Sequence, residues 1–194
     1  MDIQGEYTFD APQALVWEAL QDPNVLGSVL PGGQAFEQVG DNEYAGTLKV
    51  KVGPVQGKFK GKIVLSDIVE PTSYTMNVDG KGQPGFVKAS GDVVLSAHEE
   101  EADKTNMAYT GKAQVGGRIA SVGQRLMDSS AKAIIRQTLD GLNEYLSAKH
   151  QASLVGETVE LEDAEAPSEL EFAKNVAKDV VSDLFKGFKK NKGE

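Results

Sequence analysis

The sequence has no cysteine among its 194 residues, which excludes disulfides, thiolate metal sites and a cysteine nucleophile. Histidine is almost as scarce, since His98 and His150 are the only two, and both are predicted to be exposed beside acidic segments. No spacing typical of metal ligands is present, so we predict neither a metal site nor a catalytic residue. No apolar run approaches the roughly 20 residues of a membrane-spanning helix. The N-terminus lacks the features of a signal peptide, and we therefore expect a cytoplasmic protein.

The negative charges, which outnumber the positive ones by nine, are unevenly distributed along the chain. Residues 1–150 contain 14 basic and 19 acidic residues, whereas 151–170 contain six acidic residues and no basic one. Residues 171–194 contain six lysines and four acidic residues. This pattern predicts a globular domain over 1–150, an acidic flexible linker over 151–167 and a basic tail over 168–194. The net negative charge argues against nucleic acid as a partner.

Hydropathy in the first 150 residues predicts an α+β domain. A strand over 2–10 is followed by a short helix that opens at Pro12 and by one or two helical turns over 24–30. Apolar and polar residues then alternate over 34–117, which predicts about six antiparallel strands with one face buried. Residues 118–147 change to a helical period and predict one long helix. This order is typical of the helix-grip arrangement, in which a curved sheet wraps around a C-terminal helix and encloses an apolar cavity.

Two features of the predicted sheet have both a structural and a functional interpretation. Glycines at inward positions curve the sheet, and the missing side chains also leave room for a cavity. Lysines form a stripe on the other face, which serves solubility or docks on an acidic partner or anionic lipid. The stripe consists of Lys49, Lys51, Lys58, Lys60 and Lys62. A literal G-x-G-x-x-G over 80–85 is predicted to be a hairpin turn, because a strand and not a helix follows it.

The tail over 168–194 predicts an amphipathic helix that begins with a capping box at Ser168 and Glu171. A detached helix does not bury its apolar face by itself. It therefore lies on an anionic membrane, fills a groove on another protein or folds back on its own domain. The helix is too short in apolar length to span a bilayer. The predicted membrane-binding residues are Val176, Val180, Leu184, Phe185 and Phe188, with Lys186, Lys189 and Lys190 at the headgroups.

Three blocks of sequence carry a resemblance to a known family. The first runs from Gly40 to Gly61 (GDNEYAGTLKVKVGPVQGKFKG), the second from Gly80 to Gly91 (GKGQPGFVKASG) and the third from Ala113 to Leu126 (AQVGGRIASVGQRL). Together they resemble the CoxG-like family of carbon monoxide dehydrogenase subunits, within the START-like, Bet v 1-like (SRPBCC) helix-grip superfamily. Asp22-Pro23 and Leu30-Pro31-Gly32 also resemble the family's early helical region. The resemblance covers about residues 1–146.

The resemblance implies a non-catalytic accessory protein of a molybdenum-containing carbon monoxide dehydrogenase or a related molybdenum hydroxylase. Such a protein recruits the enzyme to the inner face of the cytoplasmic membrane, where its electrons enter respiration. The superfamily binds apolar ligands under the long helix, so we expect a respiratory quinone, menaquinone or ubiquinone, or another lipid, and no covalent cofactor. The open alternatives are a START-like lipid- or polyketide-binding protein or a cyclase unrelated to carbon monoxide oxidation, and a docking adaptor with a filled core.

Alternation alone gives the candidate cavity residues. In this set the methionines adapt to irregular ligands, and tyrosine hydroxyls are the candidate polar partners. The set consists of Leu30, Phe36, Val50, Phe59, Tyr74, Met76, Phe86, Met107, Tyr109, Val122, Leu126 and Met127.

Overall fold

The computed structural model describes residues 1–155 and forms seven strands and three α-helices from them. The N-terminal elements are β1 (Asp2–Phe9), α1 (Gln13–Ala19) and α2 (Pro23–Val29). Six strands follow: β2 (Gly33–Gly40), β3 (Glu43–Val52), β4 (Val55–Val69), β5 (Ser73–Gly82), β6 (Gly85–Ala97) and β7 (Thr105–Gly116). A 3₁₀ turn (Arg118–Val122) leads into α3 (Gln124–Val155). The predicted order of elements is confirmed, including the hairpin between β5 and β6.

The strands form one antiparallel sheet in the order β1-β7-β6-β5-β4-β3-β2. Consecutive strands from β2 to β7 pair through hairpins, and β1 closes the opposite edge by pairing with β7. Alternate residues of each strand face α3, which lies across the concave face of the sheet. The helix-grip fold predicted from the sequence is confirmed.

The long helix differs from its prediction at both ends. We predicted one helix over 118–147, but Gly123 separates the 3₁₀ turn from α3 with a φ of 91°, a conformation that side-chain-bearing residues rarely adopt. At the other end α3 continues to Val155, so the first five residues of the predicted linker are helical. Ala152 is buried in this extension, which explains why the helix passes the predicted boundary at 150.

The core consists of two separate clusters, which we call the aromatic cluster and the turn cluster. The aromatic cluster joins α1, α2 and the second half of α3 to the sheet, and includes Phe9, Trp17 and Leu142. The turn cluster joins the 3₁₀ turn and the first residues of α3 to the other end of the sheet, and includes Phe59 and Ile119. The two clusters therefore hold the same helix at two places along its length.

Polar contacts hold β1 against α3. The hydroxyl of Tyr7 donates to Oδ1 of Asp140 at 2.8 Å. The backbone amide of Asp10 donates to Oδ1 of Asn143, also at 2.8 Å, and Nδ2 of Asn143 donates back to a carboxylate oxygen of Asp10. These bonds lie beside the aromatic cluster and fix the second half of α3 to the edge strand.

Gly80 and Gly82 of β5 differ in the space that the structure leaves for a side chain, and replacing each with alanine tests this difference. A Cβ on Gly80 would meet nothing closer than 3.8 Å, whereas one on Gly82 would collide with the backbone oxygen of Lys58. We expect Gly80→Ala to leave the free energy of unfolding unchanged or raise it by up to about 1 kcal/mol. Gly82→Ala should lower it by about 1–3 kcal/mol. Urea denaturation measures the free energy of unfolding of both variants. Equal losses of stability would contradict the difference in space between the two positions.

Candidate ligand-binding site

A belt of small residues separates the two core clusters on the concave face of the sheet. Gly46 of β3 lies in register with Gly61 of β4, and Gly61 with Gly80 of β5. On β6 and β7 the inward pairs are Ala89 with Ala113 and Gly91 with Gly111. We call these seven positions the small-residue belt. Glycine and alanine extend little from the sheet, so α3 and the strands leave space between them at this level.

The solvent exposure of the belt residues indicates that part of the space between α3 and the sheet is open. Gly46, Gly61, Ala89 and Gly91 face the helix and yet are only half-buried. A Cβ on Gly61 would meet only main-chain atoms of β5, at 3.7 and 3.8 Å. The ring of Phe36, by contrast, packs directly over Gly46 and fills the belt at the β3 side. The space is therefore widest toward β5, β6 and β7.

Two grooves lie between the first half of α3 and the sheet. The larger has a volume of about 650 Å³, within the range of small-molecule sites. Its inner wall contains Ala89, Ala113, Val115 and Met127, and exposed Asp2, Lys88, Lys112, Gln114, Ala120 and Gln124 also border it. The smaller groove, about 120 Å³, is lined by Ile3, Tyr109, Ala131 and Ile135 among others. These grooves are open, with an apolar inner wall and a polar border. The enclosed apolar cavity that the sequence predicts stays a prediction.

Ser130 is a buried polar residue on α3. The residue is 2% exposed, and its hydroxyl has no hydrogen-bond partner within residues 1–155. Oε1 of Gln137, two helical turns further along, is also buried without a partner there. An unpaired buried polar atom costs about 1–3 kcal/mol. Neither residue lines the two grooves described above.

Phenol groups supply further polar atoms around the concave face. Burial raises the pKa of Tyr74 well above its usual value, with a smaller contribution from Tyr44. Burial also raises the pKa of Tyr44 and of Tyr109. For Tyr7, burial and then the hydrogen bond to Asp140 raise the pKa. The hydroxyls are thus neutral near pH 7 and suited to donate hydrogen bonds to a carbonyl.

The structure distributes the twelve predicted cavity residues over different places. Five belong to the aromatic cluster or pack against it: Phe36, Tyr74, Met76, Met107 and Tyr109. Five belong to the turn cluster or pack against it: Val50, Phe59, Val122, Leu126 and Met127. Only Tyr109 and Met127 line the two grooves, and ligand contact by any of the ten stays a prediction.

The remaining two, Phe86 and Leu30, are placed differently. Phe86 lies on the outer face of β6, where its ring covers Gly116, so it does not face α3. The prediction that it lines the cavity is wrong, because β6 begins at Gly85 and Val87, not Phe86, takes the inward position. Leu30 caps the C-terminus of α2 and belongs to neither cluster.

The sequence analysis missed several small residues that line the grooves. They are Ala89, Ala113 and Ala131, whereas the predicted cavity residues are bulky apolar or aromatic side chains. The useful signal was the matched spacing of small residues on β6 and β7, Ala89-x-Gly91 and Gly111-x-Ala113, which an antiparallel pair brings face to face.

Charged groups and the tail complete the description of the site. Every Asp, Glu, His, Lys and Arg of residues 1–155 is at least partly exposed, and this part of the chain holds no cluster of metal-ligating side chains. No helix in the same range is long and apolar enough to cross a membrane. The predicted linker beyond residue 155 and the predicted tail helix lie outside the described residues. The eight membrane-binding candidates from Val176 to Lys190 therefore stay predictions.

Comparison with known families gives one match that covers most of the chain. The sequence profile of CoxG, described as the G subunit of carbon monoxide dehydrogenase, matches residues 5–147. No curated protein sequence matches the chain.

Solved structures similar to this one share the fold. A conserved protein from Geobacillus kaustophilus is 30% identical, with 77% of this chain and 97% of that chain covered and a TM-score of 0.72. The Zhui aromatase/cyclase from Streptomyces sp. R1128 is 14% identical, with 82% and 99% covered and a TM-score of 0.59. A protein from Thermus thermophilus is 15% identical, with 76% and 98% covered and a TM-score of 0.58.

The raised tyrosine pKa values predict a loss of stability at alkaline pH. The folded state holds the phenol protons of Tyr7, Tyr44, Tyr74 and Tyr109 more tightly than the unfolded chain does. This contribution is complete below the unfolded pKa of about 10 and is lost as the pH rises above it. Urea midpoints between pH 8 and pH 11 should therefore fall above about pH 10. The interpretation fails if phenolate absorbance rises with a midpoint near 10 while the urea midpoint stays constant.

Proposed function

Because the chain belongs to the CoxG family of carbon monoxide dehydrogenase subunits, we propose that it recruits a molybdenum-containing carbon monoxide dehydrogenase to the cytoplasmic membrane. At the level of the family it is an accessory protein of that enzyme. The finer proposal is that it also carries an apolar ligand, a respiratory quinone, between the bilayer and the enzyme. The family match over residues 5–147 is the observation that carries the proposal.

The space between α3 and the sheet supports a quinone as the ligand. The inner wall of the larger groove, with Ala113, Val115 and Met127, suits an isoprenoid chain, whose burial contributes about 25 cal/mol per Å². Quinone ring carbonyls need hydrogen-bond donors, and the neutral phenol of Tyr109, which lines the smaller groove, is such a donor. A quinone is insoluble in water, so a protein that presents it to a soluble enzyme has to collect it at a membrane.

The predicted tail helix supports peripheral attachment at the inner face of the cytoplasmic membrane. Its apolar residues, including Phe185 and Phe188, suit insertion at the level of the headgroups, and its lysines suit anionic lipids. The acidic residues between the domain and this helix favour an extended tether.

A second candidate function is conversion of a polyketide, as the name of the Streptomyces aromatase/cyclase states for that protein. The two proteins are 14% identical, and the likeness extends to the fold alone. The polar groups around the concave face include phenols with raised pKa values, which suit hydrogen bonding to a ligand better than proton transfer near pH 7. We therefore favour the carrier function.

Mass spectrometry of an organic extract tests the ligand. The full-length protein, purified from a quinone-producing host, should contain about one quinone per chain. Gly61→Leu should reduce the bound quinone about tenfold, because its side chain would extend into the open part of the belt. Gly61→Ala is the matched control and should retain the quinone. A polyketide in place of the quinone would favour the second candidate. No quinone, even after incubation with quinone-containing vesicles, would leave only the recruiting role.

Truncation after Val155 tests the role of the tail. The boundary is placed there because α3 is helical to Val155 and Ala152 is buried. We expect the truncated chain to keep the melting temperature of the full chain within a few degrees and to lose most of its sedimentation with anionic vesicles. Undiminished sedimentation of a folded truncated chain would contradict the anchor.

A further inference from the structure

The belt divides the sheet into two halves of opposite charge. The half that contains the turn cluster comprises residues 1–2, 48–61, 79–89 and 112–128, and we call it the groove end. It carries nine cationic and three acidic side chains. The other half comprises residues 3–9, 37–47, 62–78 and 90–111, and we call it the far end. It carries two cationic and eleven acidic side chains. The chain as a whole is net negative, and yet the groove end of the sheet carries a strongly basic surface.

Most of the cations at the groove end lie on the outer face of neighbouring strands. Lys49 is in register with Lys58, and Lys60 with Lys81. Like charges directly opposite each other on a sheet are destabilising. Asp79 is shared between Lys81 and Lys88, at 3.7 and 3.8 Å, and cannot neutralise both. The complete set is Lys49, Lys51, Lys58, Lys60, Lys81, Lys88, Lys112, Arg118 and Arg125.

The position of Lys60 directly opposite Lys81 has a cost in stability, which favours a function in binding. Solubility is served equally well by mixed charges, as at the far end, where Lys62 pairs with Glu43 at 2.7 Å. An array of one sign concentrated on one half of the sheet instead creates an attractive potential for a negatively charged surface.

Apolar side chains and the mouth of the larger groove lie within the same half. Val122 and Leu126 of the turn cluster are half-buried, and Phe86 is half-buried on the outer face opposite Lys81. Lys88 and Lys112 border the groove itself. Cations around partly exposed apolar groups suit a bilayer, which offers anionic headgroups above an apolar interior, better than the polar rim of a protein interface.

We propose that the groove end of the folded domain binds an anionic lipid bilayer directly and places the mouth of the groove against it. The far end, with its acidic turns, faces away from the membrane. This inference rests on the proposed function, in which the ligand is collected from a bilayer. It adds a second membrane contact, independent of the tail, and it sets the orientation of the domain.

Single-cysteine labelling tests the orientation, because the chain contains no native cysteine. Gln83→Cys places a fluorophore in the exposed turn between β5 and β6, and Glu100→Cys places one in the exposed turn between β6 and β7. Both full-length variants are mixed with vesicles of phosphatidylcholine and phosphatidylglycerol that contain a headgroup quencher. Quenching at residue 83 should exceed quenching at residue 100 several-fold. Equal quenching, or stronger quenching at residue 100, would overturn the proposal.

Removing three positive charges at the groove end, and three elsewhere as a control, tests the contact between the groove end and the bilayer. The test variant is Lys58→Gln, Lys60→Gln and Lys81→Gln at the groove end. The control removes the same charge at Lys62, Lys104 and Lys149, which are outside the groove end. At about fivefold per lysine near an anionic surface, the test variant should bind these vesicles about 10- to 100-fold more weakly than the wild type. The control should change binding less than about threefold.

The outcomes separate this inference from the proposed function. If the full chain binds no vesicles, both the inference and the membrane part of the proposed function fail. If it binds but the two triple variants behave alike, only the inference fails. If the test variant binds vesicles normally but loses affinity for the dehydrogenase, the groove end is a surface for an acidic protein and the lipid assignment is wrong.

Discussion

Helix α3 and the concave face of the sheet bury each other's apolar side chains, and the rest of the structure depends on where that contact is tight. At the aromatic cluster it is complete, with Leu142 and Leu146 fully buried. At the turn cluster the 3₁₀ turn and Ile119 close it again. Between them the small-residue belt gives the helix little to pack against. One helix therefore secures the fold at two places and leaves a binding space between them.

This division separates the contacts that hold α3 to the sheet from the larger groove. The hydrogen bonds from Tyr7 and Asp10 to α3 lie at the aromatic cluster, away from the larger groove. The groove borders the turn cluster, where Gly123 interrupts the helical segment before α3 begins. The side chains that form these hydrogen bonds between β1 and α3 are therefore not among the residues that line the larger groove.

The sequence was sufficient for the fold and for the faces of most strands, because alternation and helical period report burial directly. It was insufficient to predict how far along the sheet each residue lies, and therefore which cluster it joins. That position depends on the register between strands that are far apart in sequence. Tyr74 and Phe59 both face inward, yet they belong to different clusters. Phe86 was assigned to the wrong face because the β5–β6 turn sets the phase of β6. Ser130 was overlooked because a serine on a helix is ordinarily exposed.

The separation of charge along the strands gives the domain a permanent electric dipole. Near a charged surface such a dipole experiences a torque as well as a net force. The torque rotates the domain before the domain contacts the surface. At physiological ionic strength the Debye length is about 8 Å, which confines that torque to the last few water layers. The repulsion from the net charge of −9 is screened over the same distance. In the orientation that we propose, the torque would therefore turn the groove end toward an anionic surface only at close approach.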